Sequence, residues 1–167
     1  MLRRIIFLFL VFFFGCGYHF VGKGRLPGEI GSIAIAPFEN QTDEPHLGKI
    51  MEEALRAELI RRRGVKVVEE GSAEAILKGK ITSLHFASLA YDEEGRAREY
   101  RASISLDLQL IRREGEEVLW EIRRLIGREE FRVRGDIALD EGRKEEALRE
   151  IARDLAREVY LRMIEGF

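Results

Sequence analysis

Ala102-Ser103-Ile104-Ser105-Leu106-Asp107-Leu108-Gln109-Leu110 decides the fold. Successive side chains of a strand point to opposite faces, so Ala102, Ile104, Leu106, Leu108 and Leu110 share one side while Ser103, Ser105, Asp107 and Gln109 share the other. That is the pattern of a half-buried antiparallel strand. Turn chemistry flanks it, Asp92-Glu93-Glu94-Gly95 before and Arg113-Glu114-Gly115-Glu116 after. Beyond the first turn, Ala75 to Ala90 reads as a strand with a change of phase between Ile81 and Leu84, the mark of a bulge. Beyond the second, Val118, Trp120 and Ile122 open a strand that runs past Gly127 toward Phe131. Strands joined by short polar turns make a meander.

Helical spacing bounds this β region on both sides. Leu47, Ile50, Met51, Ala54, Leu55 and Leu59 form one apolar stripe, with Glu52, Glu53 and Glu58 expected to face water and Arg61-Arg62-Arg63-Gly64 to end the helix. Thr42 and Asp43 are the candidate caps. Before this helix, Ser32 to Ala36 reads as a strand closed by Pro37, and Phe38 to Pro45 as a polar connection. After it, Val65 to Val68 reads as a short strand, so strand, helix and strand suggest a crossover. The last helix is expected from about Asp136 to Glu165. Its apolar stripe is Leu148, Ile151, Ala152, Leu155, Val159 and Met163, and Glu146/Arg149, Glu150/Arg153 and Asp154/Arg157 are expected to pair on its wet side. The fold class is therefore α+β: two helices on one face of a mostly antiparallel sheet of four strands, or slightly more.

The N-terminus has a different character. Arg3 and Arg4 precede ten unbroken apolar residues, Ile5 to Phe14, and then Gly15-Cys16-Gly17. Ten residues are too few to cross the roughly 30 Å of a bilayer core, whereas the order charged, apolar, small is that of a secretory signal peptide. Residues 1–15 are expected to be that signal and residues 16–31, rich in glycine, a tether to a single domain over residues 32–167. Export leaves the one cysteine of the chain without a disulfide partner. The position of Cys16 resembles the cleavage and acylation site of bacterial lipoproteins, which makes it the expected lipid anchor, and Gly17 in place of aspartate implies the outer membrane by the sorting pattern of those proteins.

Composition excludes several functions. With 46% hydrophobic residues the chain is too apolar for intrinsic disorder, and a net charge of −2, becoming −4 without residues 1–15, gives no pull toward nucleic acid. His19, His46 and His85 have no spacing that brings two onto one metal. Gly22-Lys23-Gly24 and Gly79-Lys80 lack the rest of a phosphate loop, and Ser72 lacks a nucleophile elbow. No cofactor is expected. Arginine stands out, 22 against 6 lysines, with Arg96, Arg98 and Arg101 crowding the start of the alternating strand and Arg128, Arg132 and Arg134 following the last. Its planar fork matches phosphate and carboxylate at two points, so these positions are candidates for an anionic ligand.

Cys16-Gly17-Tyr18-His19-Phe20, Leu26-Pro27, Ile33-Ala34-Ile35 with Pro37-Phe38 and Asn40, Gly95 with Glu99-Tyr100, and Val118-Leu119-Trp120 together resemble the lipopolysaccharide-assembly lipoprotein family LptE. The resemblance implies an outer-membrane lipoprotein without catalytic activity, carrying acyl chains such as palmitate and facing the periplasm or seated inside a barrel lumen. Its implied partner is the β-barrel LptD, which the family plugs and helps to assemble, and the pair places lipopolysaccharide in the outer leaflet. In the family, a basic residue before the hairpin glycine and another near the entry to the final helix help to bind lipopolysaccharide. Here Asp92 to Glu94 and Asp140-Glu141 stand at those places, so any such binding falls to Arg96, Arg98, Arg101 or Arg143. The alternative is another periplasm-facing lipoprotein, an accessory of a secretion or cell-envelope complex.

Overall fold

The computed structural model describes residues 26–62 and 64–165; the expected signal stretch and Cys16 lie outside them. In chain order the elements are β1 (Ser32–Ile35), β2 (Glu39–Asn40), α1 (Leu47–Arg62), β3 (Lys66–Val67), β4 (Ala75–Tyr91), β5 (Ala97–Arg112), β6 (Val118–Arg132) and α2 (Ile137–Glu165). One sheet holds all six strands in the order β3-β1-β4-β5-β6, with β2 beside β4 further along. The expected sheet of four strands or slightly more, mostly antiparallel, holds for the long strands and is corrected in its extent: there are six strands, β1 pairs in parallel with β3 and β4, and β2 pairs in parallel with β4. The physical reason is the crossover through α1, which brings the chain back in its original direction. β2 lies within what reads as a polar connection, since a two-residue strand has no period to detect.

The meander is as expected. β4 and β5 pair from Ala75↔Arg112 to Tyr91↔Ala97, with a register shift between Ile81 and Ser83, and β5 and β6 pair from Ile111↔Val118 to Glu99↔Arg132. Ala102, Ile104, Leu106 and Leu110 are 0% exposed. With Ala75, Leu77, Ile81 and Leu125 from the flanking strands they face the apolar stripes of both helices in a single core. Each leucine or isoleucine so buried is worth about 1.5–3 kcal/mol. The opposite face of the sheet, with Lys78, Lys80, Ser103, Ser105, Asp107 and Gln109, stays half-buried or open.

Two features depart from the simple patterns. β6 carries a bulge, for Leu108 faces Ile122 while Leu106 faces Leu125, and Arg124 takes a positive φ of 54° there. The Arg124 N–H donates to Asp107 Oδ1 at 2.7 Å, so a carboxylate on the wet side of β5 closes the kink. Glu58, expected in water, is buried. Burial opposes its charge, but Arg61 and Arg62 both bind the carboxylate and hold its pKa below the ordinary glutamate value. The Arg62 guanidinium also lies 4.9 Å over the Tyr160 ring, tying the end of α1 to α2.

The helix ends are also set locally. Asp136 caps α2 by accepting the Leu139 N–H at 3.1 Å. Thr42 instead accepts the Glu44 N–H, forming a turn ahead of α1. On the wet side of α2, Arg157 pairs with Asp154 and Arg153 with Glu150 as expected, whereas Arg149 takes Glu145. At the other end of the described chain, Leu26 and Ile30, within the stretch read as tether, are buried in the core. Between them Gly28 turns the backbone at φ 70°, where a Cβ would stand 2.7 Å from Arg112 Nη2 and 3.2 Å from Leu119 Cδ2.

At Gly127 α2 lies close against the sheet. A Cβ there would stand 2.6 Å from Ile151 Cγ2 and 2.7 Å from Leu155 Cγ, distances no packed carbon tolerates. Gly127→Ala is expected to destabilise by about 1–3 kcal/mol through overpacking. Gly142, in α2 with nothing within 4 Å of its would-be Cβ, gives the opposite sign: Gly142→Ala should stabilise by about 0.5–1 kcal/mol through helix propensity. Urea unfolding of the two variants measures both.

Candidate functional site

The β4–β5 turn is built around one carboxylate. The Gly95 N–H donates to the Asp92 carbonyl at 3.0 Å, with Gly95 at φ 76°, which makes the tight turn. Asp92 Oδ1 then accepts the Glu94 and Arg96 N–H groups at 3.1 and 2.8 Å, and its Oδ2 accepts Nε of Arg96 and of Arg98 at 2.9 and 2.8 Å. Desolvation is the largest single effect and raises the Asp92 pKa, but these donors and the two guanidinium charges together outweigh it and pull the carboxyl down to about 2. Arg96 binds Glu94 as well, at 2.8 Å.

The other candidate arginines are also neutralised. Arg101 places Nε and Nη2 on Glu130 Oε1 at 3.0 and 2.7 Å, across the strand pair that sets Arg101 opposite Glu130. Arg143 binds Asp140 at 2.6 Å, and Asp140 also accepts the Arg134 and Gly135 N–H groups, which fixes the turn into α2. Burial works against the Asp140 charge, but those donors keep its pKa below the ordinary value. Nearby, Lys144 bridges Glu44 and Glu141 at 2.9 and 2.6 Å, linking α2 to the loop before α1.

The sequence groups Arg96, Arg98 and Arg101 together, but the structure does not gather them on one surface. Positions 98 and 101 of β5 lie on opposite faces of the sheet, Arg96 belongs to the turn, and Arg143 stands on α2. Each is spoken for by an acid that the sequence places close by or across a strand. Arg128 is different. It is exposed on β6 beside Ser103 of β5 and makes no ion pair among the described residues. Cys16, the expected anchor, lies outside the described residues.

Sequence reasoning missed an aromatic group at the same end. Phe86 meets Phe131 edge-on at 6.0 Å and Tyr100 stacks on Phe131 at 5.8 Å. All three are on the helix side of the sheet, yet Phe86 remains 42% exposed. Adjacent to it, the residues 41–44 and 82–86 enclose a slot of about 420 Å³. Among the described residues, no helix is long and apolar enough to cross a membrane.

Known proteins share this arrangement. A solved lipoprotein from Caulobacter crescentus CB15 superimposes with a TM-score of 0.56 at 15% identity, covering 78% of this chain and 89% of its own. Lipoprotein B from Nitrosomonas europaea gives 0.54 at 19% identity over 90% and 92%, and a minor lipoprotein from Acinetobacter baumannii gives 0.50 at 12% over 81% and 92%. At such identities the likeness is one of fold. No curated protein sequence matches the chain. Residues 30–163, from the first core isoleucine to the last buried methionine, match the sequence family described as "LptE: Lipopolysaccharide-assembly", and the chain belongs to that family.

Proposed function

We propose that the protein is an outer-membrane lipoprotein, anchored through acylated Cys16, that plugs an LptD-type β-barrel, supports its assembly and with it places lipopolysaccharide in the outer leaflet. The observation that carries this reading is the family match over essentially the whole folded domain. The surface supports it physically. A barrel lumen is polar, and this domain packs one apolar core under two helices while presenting paired charges on the α2 exterior and the open sheet face. The role is non-catalytic: the carboxylates of the hairpin turn and of the α2 entry are bound by arginine and by backbone N–H groups, which commits them to structure.

Direct lipid binding, in this reading, requires exchange. Arg96 and Arg98 reach a lipid phosphate only by leaving Asp92, so the cost of breaking those pairs is subtracted from any affinity gained. Arg128 has no such cost.

Two outcomes are expected. Extracted from membranes in mild detergent, the full-length acylated protein should copurify with the LptD-type barrel of its own organism, and recovery of the lipoprotein alone would overturn the plug role. For the hairpin, the folded pKa of Asp92 lies near 2, below the ordinary value, so the order it confers is complete above about pH 4 and is lost as pH falls from there through 2. NMR of the Glu94 and Arg96 amides should show this transition in the native chain and none in Asp92→Asn. The same variant, by freeing Arg98 and leaving Arg96 only its pair with Glu94, should retain more lipopolysaccharide at neutral pH; unchanged retention removes Arg98 from the account.

A further inference from the structure

We infer that the open edge of β4 between Ser83 and Ser88 receives an extended segment of the barrel partner as an added strand; this rests on the barrel reading above. β5 pairs with one edge of β4 along its length. On the other edge β1 covers only Ala75 to Leu77 and β2 only Lys80 and Ile81, and the last bond is Gln41 N–H to the Ile81 carbonyl at 3.0 Å. Past that point no strand lies beside β4 among the described residues.

Its composition sets this edge apart. Ile81-Thr82-Ser83-Leu84-His85-Phe86-Ala87-Ser88-Leu89-Ala90-Tyr91 contains no Asp, Glu, Lys or Arg, the longest such stretch among the described residues, in a chain that is 35% charged. Proteins ordinarily blunt exposed edges with charge, proline or bulges, because unpaired N–H and C=O groups template another strand. β6, the opposite edge, is blunted in this way by Glu121, Arg123, Arg128, Glu130 and Arg132 and by the Arg124 bulge. On β4 the irregularities fall between Ile81 and Ser83 and after Ser88, leaving a regular span between them.

A preformed slot receives the end of that strand. The loop after β2 turns away from β4 rather than continuing beside it, and its shape is held by its own hydrogen bonds. Asn40 Oδ1 accepts Thr42 N–H and hydroxyl at 3.1 and 2.8 Å, and Asn40 Nδ2 donates to the Glu44 carbonyl at 2.7 Å. The wall is braced by Lys144 on Glu44. Between this wall and residues 82–86 lies the 420 Å³ slot.

The walls also define the occupant. On the helix side, Leu84 and the part-exposed Phe86 border the aromatic group, so inward side chains of the added strand are apolar. On the other side His85 and Ala87 stand open, which suits small or polar residues. Asp43 on the lip makes no ion pair, so a Lys or Arg at the end entering the slot is matched. Main-chain bonds supply affinity and these alternate positions supply choice, the mode of strand addition.

The test uses full-length acylated protein coexpressed with the LptD-type barrel of its own organism. A photo-crosslinking residue is placed in turn at Ser83, His85 and Ala87, with Arg153 on the exposed side of α2 as control. The expected result is capture of one continuous barrel-partner segment, advancing two residues for each step of two along β4, and no capture from position 153. Ala87→Lys and Ser88→Lys should lower barrel recovery about tenfold at unchanged thermal stability. Barrel recovery without capture from β4, or capture of a second copy of this chain, overturns the edge assignment and leaves the plug role standing. Absence of the barrel from every preparation overturns both.

Discussion

β5 is hydrogen-bonded along both edges, to β4 on one side and to β6 on the other, so the phase of its pleat decides for three strands at once which side chains meet the helices. A slip by one residue would turn Ile104, Leu106, Leu108 and Leu110 to water and bring Ser103, Ser105, Asp107 and Gln109 under α2. Burying those polar groups without partners would cost more than any surface pairing returns. The rest of the architecture follows from that phase: the bulge at Arg124 restores alignment so that Leu125 faces inward, and Gly127 then lies under Ile151 and Leu155 of α2.

The same register distributes charge. Arg101 faces Glu130 only because the β6 bulge has shifted the pairing by one; carried through without it, Arg101 would face Glu129. Exposed pairs of this kind contribute little to stability individually. Their effect is to leave few cations uncommitted, so an anionic ligand meets a surface whose guanidinium groups are mostly engaged already, with Arg128 and Lys78 free of ion pairs on the open face among the described residues.

Most of the fold is legible in the sequence where a period runs long enough to be read. The alternation from Ala102 to Leu110, the phase change after Ile81 and both helical stripes predict the observed elements closely. What escapes detection is short or depends on distant neighbours. β2 and β3 have two residues each, too few for a period, and their parallel pairing follows from the path of α1 rather than from their own composition. Glu58 reads as a solvated residue because its burial is made tolerable by Arg61 and Arg62, and the contact of Arg62 with Tyr160 spans the chain. The arginines of the candidate site are visible in sequence, but whether each is free depends on cross-strand register and turn geometry, which single residues do not encode.

The docking of Leu26 and Ile30 against the core bears on reach. If lipid is carried at Cys16, only ten residue steps separate the bilayer surface from the folded body, at most about 35 Å of extended chain. Gly28 fixes the point of departure beside Arg112 and Leu119, at the end of the sheet remote from Gly95. From there the 16 residues of β5 lead back to the turn over roughly 50 Å at about 3.3 Å per residue. An anchor at Cys16 would therefore join the domain at one extremity, with the β4–β5 hairpin at the other and the whole length of β5 between the two.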